Sequence, residues 1–156
     1  MRTNAVTNYL REAPTRGRPR PDSSHDTEFF WEGARRHKLL IQRCTDCATL
    51  RHPPGPLCPQ CHSFVWDPVE VSGRGAVYSW IVHHLPAIPG FEAPVIVVVV
   101  ALEEGPRVIS NLFGASPEEL RVGDPVEVFF ADQEEGWTAP QFRPAHASGS
   151  DPTPNA

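Results

Sequence analysis

Hydrophobic and polar positions divide the chain into a patternless start, one short amphipathic element and a strand-rich remainder. Over residues 1–25 no apolar periodicity develops. Arg16, Arg18 and Arg20 interleave with Gly17, Pro19 and Pro21, and the segment is expected to be a disordered tail. From Asp26 to His37 the pattern is helical: Phe30 and Ala34 stand four apart and share a face, as do Trp31 and Arg35. Asp26 or Ser24 is placed to cap this helix, and Glu28 and Glu32 lie towards its positive end. Phe29, Phe30 and Trp31 in a row are too apolar for a free surface helix, so they pack either on this chain's own core or against another subunit.

Beyond the helix, period-two patterns and short apolar runs predict strands. Leu39-Leu40-Ile41 is a short one, and another runs from Val65 to Val71. Val77 to Leu85 is a strand of mixed faces, broken by Pro86, Pro89 and Gly90. Ala93 to Leu102 is an almost continuous β-branched run, the pattern of a strand buried on both faces. Glu103-Glu104-Gly105 turns the chain and Arg107 to Phe113 returns. Ser116, Pro117 and Glu119 open a single helical turn ending near Leu120. Val126, Val128 and Phe130 alternate with Glu127 and Phe129, and a last strand runs from about Trp137 to Arg143. Gly73 and Gly75 mark a bend or bulge. Five strands, with a short helix between the third and fourth, fit a small Greek-key barrel of the oligonucleotide/oligosaccharide-binding (OB) type.

The four cysteines change the picture of residues 26–71. Cys44 and Cys47 form one C-x-x-C pair and Cys58 and Cys61 another, ten residues apart. Each pair turns two sulfurs onto one ion from a tight knuckle, and two knuckles supply a tetrahedron of thiolates, the donor set of a closed structural zinc site. Iron in a rubredoxin-like site has similar geometry; zinc is favoured because nothing else suggests electron transfer. Full ligation leaves no position for substrate, so the metal folds the ribbon and does not catalyse. Pro53, Pro54, Pro56 and Pro59 stiffen the intervening loop. His52 and His62 are read as exposed residues or as neighbours of the ligating cysteines, not as ligands. The fold class is therefore mostly β: an N-terminal helix, a rubredoxin-like zinc ribbon, then a five-stranded OB barrel. The domains are expected at 26–71 (helix plus ribbon) and 72–146 (barrel), with disordered tails at 1–25 and 147–156.

Charge decides between function classes. The net charge is −5, but residues 1–25 hold five arginines against two acids, whereas residues 72–146 hold four basic residues against ten acidic. Tyr78, Trp80 and Trp137 are able to stack on bases, yet the acidic barrel repels phosphates, so nucleic acid is not expected as the partner. A nucleic-acid-binding ribbon and barrel is kept as the competing class. No nucleophile elbow, metalloprotease motif or phosphate loop is present. His83 and His84 end a strand, one facing inward and one outward. No apolar run spans a bilayer and no basic-then-apolar leader starts the chain, so a cytoplasmic location away from membranes is expected.

The order of motifs carries a resemblance. Phe30-Trp31, Leu39 through Cys44, Cys47, Pro53-Pro54, Cys58-Pro59 and Cys61 begin it. Val71 through Gly75, Val77-Tyr78-Ser79, Ala93-Pro94, Leu102 through Gly105, Val122-Gly123-Asp124 and Phe142-Arg143-Pro144 continue it. Together, over about residues 27–145, they resemble the acyl-CoA-associated family with a rubredoxin-like zinc ribbon and an OB-fold. The resemblance implies a non-catalytic subunit that partners a thiolase-fold enzyme acting on acyl-CoA thioesters. Some members bridge a thiolase to a synthase; others pair with a lipid-transfer-protein-like aldolase that cleaves a steroid side chain. His83 through Phe91 is similar to the version beside those aldolases, which implies a heteromeric lyase complex of steroid degradation. Phe30, Trp31, His83, His84 and Phe91 are then candidates for the partner or substrate channel, and Arg74, Arg107 and Arg143 for the coenzyme A phosphates. A self-sufficient enzyme acting on CoA thioesters is the remaining alternative. The chain departs from the family where glycine often follows each knuckle: here the residues are Ala48 and His62.

Overall fold

The computed structural model describes residues 12–91 and 93–145. Within them the element order is α1 (Glu28–Arg35), β1 (Leu40–Cys44), β2 (Leu50–Arg51), β3 (Trp66–Glu70), β4 (Arg74–His83), β5 (Val95–Leu102), β6 (Arg107–Leu112), β7 (Pro125–Asp132) and β8 (Thr138–Pro144). The chain is mostly β, with one short helix, a three-stranded ribbon and a closed five-stranded barrel.

The helix starts two residues later than its sequence pattern suggests, at Glu28. Thr27, not Asp26 or Ser24, is the N-cap residue, and Ser24 closes the turn beneath it, its carbonyl accepting from the Thr27 and Glu28 amides. The helix ends where His37 takes φ 55° and the Lys38 amide donates to the Gly33 carbonyl. Gly33 matters here for its size: a Cβ would lie 2.6 Å from Leu40 Cγ, so a larger residue would push the helix off β1.

In the ribbon β1 is central, with β2 on one side and β3 on the other, both antiparallel. The barrel closes in the order β4-β5-β6-β8-β7 and back to β4. All neighbours are antiparallel except β6 and β8, which meet in parallel at Leu112 and Phe142, and this is the OB connectivity. The bulge lies between Val77 and Ser79, downstream of the two glycines that suggested it. Gly73 has φ +73° and packs its bare Cα against the Val128 side chain, so a side chain is excluded there for two reasons. Ser116, Pro117 and Glu119 make a reciprocally bonded turn, the Ser116 amide donating to the Glu119 carboxylate, and no helix. That turn delivers Leu120 into the core.

A single hydrophobic cluster runs through both halves. Leu39, Ile41 and Val71 from the ribbon side join Val77, Val98, Val100, Leu112, Val126 and Phe142 of the barrel. The ribbon is therefore not held by its metal knuckles alone. β5 differs from expectation: its burial alternates, with Ile96, Val98, Val100 and Leu102 inside and Val97, Val99 and Ala101 half-buried outside. Among the described residues its outward face stays half-buried, so the β-branched run is fully buried on one side only.

The expected disordered start also differs. Residues 1–11 and 147–156 lie outside the described residues, but 12–25 run along the barrel. Gln133 donates to the Pro14 carbonyl at 2.9 Å, the Glu134 amide donates to Thr15 at 2.8 Å, and the Gly17 amide donates to Glu135 at 2.8 Å. Proline and glycine remove local periodicity without preventing a segment from packing as an extended strap. Hydropathy periodicity cannot register such a strap.

Candidate metal centre

β1 ends at Cys44, so its last residue presents a sulfur where the strand breaks into the first knuckle. In the first knuckle the Ala48 amide donates to the Cys44 carbonyl (3.0 Å) and the Cys44 amide to Thr49 (2.9 Å). The second repeats the pattern: His62 to the Cys58 carbonyl (2.9 Å), and Cys58 to Ser63 (2.9 Å). Both bonds require the residue after the second cysteine to turn left-handed. Ala48 and His62 each take φ 61°. The departures from glycine are thus accommodated at a conformational cost of about 1 kcal/mol each. Ala48→Gly and His62→Gly are expected to raise stability by about 0.5–1 kcal/mol apiece, read as a higher denaturant midpoint at unchanged m-value.

The two knuckles bring all four sulfurs within 4.8 Å of one another. Cys44 and Cys61 stand 3.5 Å apart, and Cys47 and Cys58 3.6 Å. A tetrahedron of thiolates around one zinc has S–S edges of about 3.8 Å, so the four atoms stand as a ligand set around one ion. Cys44 and Cys58 are buried, Cys47 and Cys61 exposed.

The electrostatics favour the same reading. Donation from the Cys61 and Gln60 amides pulls the Cys58 thiol down to about 6 against the cost of desolvation. Cys61 receives the Ser63 amide, yet the neighbouring thiols, Cys47 foremost, and desolvation push it up to about 12. Cys47 is lowered, chiefly by its 3.1 Å contact with the Thr49 hydroxyl. Four thiols this close cannot all ionise by themselves; a divalent cation at their centre removes the conflict. The donor set fits a metal and offers no fifth position to substrate.

The loop between the knuckles is locked by a network that the sequence pattern does not disclose. Gln42 is fully buried on β1, and its Oε1 accepts from Arg51 Nε at 2.7 Å and from the Gly55 amide at 2.9 Å. Arg51 Nη2 returns to the Gly55 carbonyl at 3.0 Å. The only signal was a glutamine inside an apolar strand, and that reads equally well as an edge position.

The other sequence candidates are dispersed. Phe30 and Trp31 face this chain: Phe30 stands edge-on to Trp31 and 5.3 Å from His52, and Trp31 meets Trp137 at 6.0 Å. Phe30 packs on the main core cluster and Trp31 on Ala131, Trp137 and Ala139, and both stay half-buried, which leaves part of that aromatic face for another subunit. His83 is half-buried and bonds the Pro86 carbonyl at 2.7 Å, whereas His84 is exposed. Phe91 lies under the Arg18 guanidinium at 4.8 Å. Each arginine foreseen for coenzyme A already has a partner: Arg74 pairs with Glu103 (3.1 Å), Arg143 with Glu127 (2.8 Å), and Arg107 stacks on Tyr78 at 3.8 Å. Trp137 is buried, so it is not free to stack on a base.

Two family models match the chain: one described as the rubredoxin-like zinc ribbon domain of ChsH2, over residues 31–67, and one described as the C-terminal OB-fold domain of ChsH2, over residues 68–131. The chain is 47% identical over 139 residues to a probable enoyl-CoA hydratase alpha subunit of Thermomonospora curvata, covering 89% of this chain and 44% of that protein. It is 46% identical over 113 residues to the 3-oxo-4,17-pregnadiene-20-carboxyl-CoA hydratase alpha subunit of Mycobacterium tuberculosis, covering 72% and 36% respectively. The chain thus spans less than half the length of these two relatives. A DUF35 domain-containing scaffold protein of Methanocaldococcus jannaschii is 32% identical over 97 residues, covering 61% of this chain and 69% of that protein. Among solved structures, a chain of the Ltp2-ChsH2(DUF35) aldolase superposes with a TM-score of 0.75 at 48% identity, covering 80% of this chain and 98% of that one.

Proposed function

Because the chain belongs to the ChsH2 family of DUF35 proteins with a zinc ribbon and an OB-fold, we propose that it is an accessory subunit of a thiolase-fold acyl-CoA enzyme. The complex would be a retro-aldolase that removes a steroid side chain from a CoA thioester. The partner supplies the reacting groups, and this chain completes and stabilises the assembly. The observation that carries this reading is the 0.75 TM-score against an aldolase chain of which 98% is covered. Zinc is the metal we assign to Cys44, Cys47, Cys58 and Cys61, in a structural role.

Surface chemistry supports a protein partner. The registers of β4, β5 and β6 place Ile81 opposite Val97 and Ile109 opposite Val99, so these side chains share one outward face. Ile81 is 62% exposed and Ile109 67%. On the ribbon, Phe64 and Val65 beside the second knuckle are also exposed. Apolar side chains grouped in this way mark protein contact surfaces. Among the described residues no helix is long and apolar enough to cross a membrane.

Coexpression with a thiolase-fold aldolase of the lipid-transfer-protein type is expected to give a complex that survives size exclusion. Ile81→Asp combined with Ile109→Asp is expected to weaken it by about 2 kcal/mol or more, roughly thirtyfold. Retro-aldol turnover should need both chains. Full activity of the partner alone would remove the accessory role. The scaffold relative favours a second reading, a bridge between a thiolase and another acyl-CoA enzyme; recovery of two different enzymes on one tagged copy of this chain would select it.

A further inference from the structure

At one end of the barrel three stretches distant in sequence meet: the N-terminal strap, residues 84–91 after β4, and the turn between β7 and β8. The strap is bonded to the turn, the Gln133 side chain donating to Pro14, the Glu134 amide to Thr15 and the Gly17 amide to the Glu135 carboxylate. It then crosses residues 84–91 backbone on backbone. A Cβ on Gly90 would stand 2.8 Å from the Arg18 amide nitrogen and 2.9 Å from the Gly17 carbonyl carbon. Gly17 itself takes φ +77°, a conformation that a side chain disfavours. The crossing is therefore as close as it is because both residues are glycine. Next to it the Arg18 guanidinium lies over the Phe91 ring (4.8 Å) and the Trp137 ring (5.4 Å), joining the loop to the residue that follows the turn. Among the described residues no hydrogen bond runs directly from the loop to the turn, so the strap is what ties the two together.

The loop so tied is also braced from within. The His83 ring donates to the Pro86 carbonyl at 2.7 Å, and the Phe91 amide to the Ile88 carbonyl at 3.0 Å. At its tip stands Leu85, 82% exposed, the most exposed of the large apolar side chains among the described residues. It follows Ile81 by four residues, just past the end of β4 at His83, so it continues the apolar run of the strand that carries the proposed contact face. An apolar side chain on a loop that is already ordered is well suited to burial in a protein partner, because little conformational freedom remains to be lost on binding.

We infer that Gly17 and Arg18 are positioning residues that hold residues 84–91 as a rigid hook, and that Leu85 at its tip is buried by the thiolase-fold partner. The docking half rests on the accessory-subunit reading above. The clasp itself does not, and is tested on this chain alone.

Hydrogen exchange of the full chain reads the clasp at the Phe91 amide. Arg18→Gln and Gly17→Val alter only the strap, yet each should speed exchange at Phe91 at least about fivefold while the β5 amides of Val98 and Val100 keep their rates. Unchanged exchange at Phe91 in both variants would overturn the clasp. With the aldolase partner, Leu85→Asp should weaken the complex at least about tenfold, and Arg18→Gln about threefold or more. Since Arg18 acts through the hook, adding Arg18→Gln to Leu85→Asp should cost no further affinity. A complex that forms but is indifferent to Leu85→Asp would overturn the docking of the hook, as would a full further loss in the double variant. A wild-type chain that forms no complex at all refutes the accessory reading and the docking with it, whereas the exchange result decides the clasp either way.

Discussion

Removal of the metal by a strong chelator is expected to unfold the ribbon and to lower the melting temperature of the whole chain by about 15 °C or more. Structural zinc sites contribute about 10 kcal/mol or more of apparent folding free energy at neutral pH, comparable with the total stability of a small domain. The loss should reach the barrel, because Leu39, Ile41 and Val71 belong to the same cluster as Val98, Leu112 and Phe142. Cys58→Ser should be the most damaging single replacement. Cys58 is buried, and its sulfur receives the amides that favour the thiolate. His62→Gly should leave metal content unchanged, since His62 is exposed and serves only the backbone of its knuckle. Elemental analysis with a chelator-dependent melting curve checks all three. A pure protein that carries less than a stoichiometric metal and melts identically with and without chelator would sink the site.

The second large effect is expected from Phe142→Ala, at about 3–5 kcal/mol of destabilisation. Phe142 is fully buried on β8 at the point where the barrel closes. It faces Leu112 of β6 in parallel and Val128 of β7 antiparallel, and its carbonyl accepts the Phe113 amide at 3.0 Å. Truncation leaves a cavity at a junction of three strands, where strands fixed on both sides relax little. Phe64→Ala serves as the contrast: with Phe64 71% exposed, it should change stability by less than about 0.5 kcal/mol. Urea unfolding monitored by tryptophan fluorescence measures both. Equal effects of the two substitutions would mean that the barrel core does not carry the fold.

The elements and the metal site were legible in the sequence because both are local. Two C-x-x-C pairs determine their own knuckles, since a two-residue spacing brings both sulfurs to one side whatever surrounds it. The alternation at Val126, Val128 and Phe130 marks a strand face in the same way. The register along β5 was less legible: a run of β-branched residues records strand propensity but not how many layers cover it, and here the described residues leave one side half-buried.

Tertiary structure alone decided the rest, because long-range pairing leaves no periodic trace in the chain. The strap over residues 12–25 looked like a tail, for its bonds go to Gln133, Glu134 and Glu135, more than a hundred residues away. The Gln42–Arg51–Gly55 lock is invisible until β1 and β2 pair. The arginines foreseen for phosphate found carboxylate or aromatic partners across strands, while Arg18, placed by its sequence in a disordered tail, lies between the Phe91 and Trp137 rings. Composition and spacing determine which groups a chain carries. Only the closed barrel and the ribbon docked on it determine which of those groups are already satisfied and which are left to meet something else.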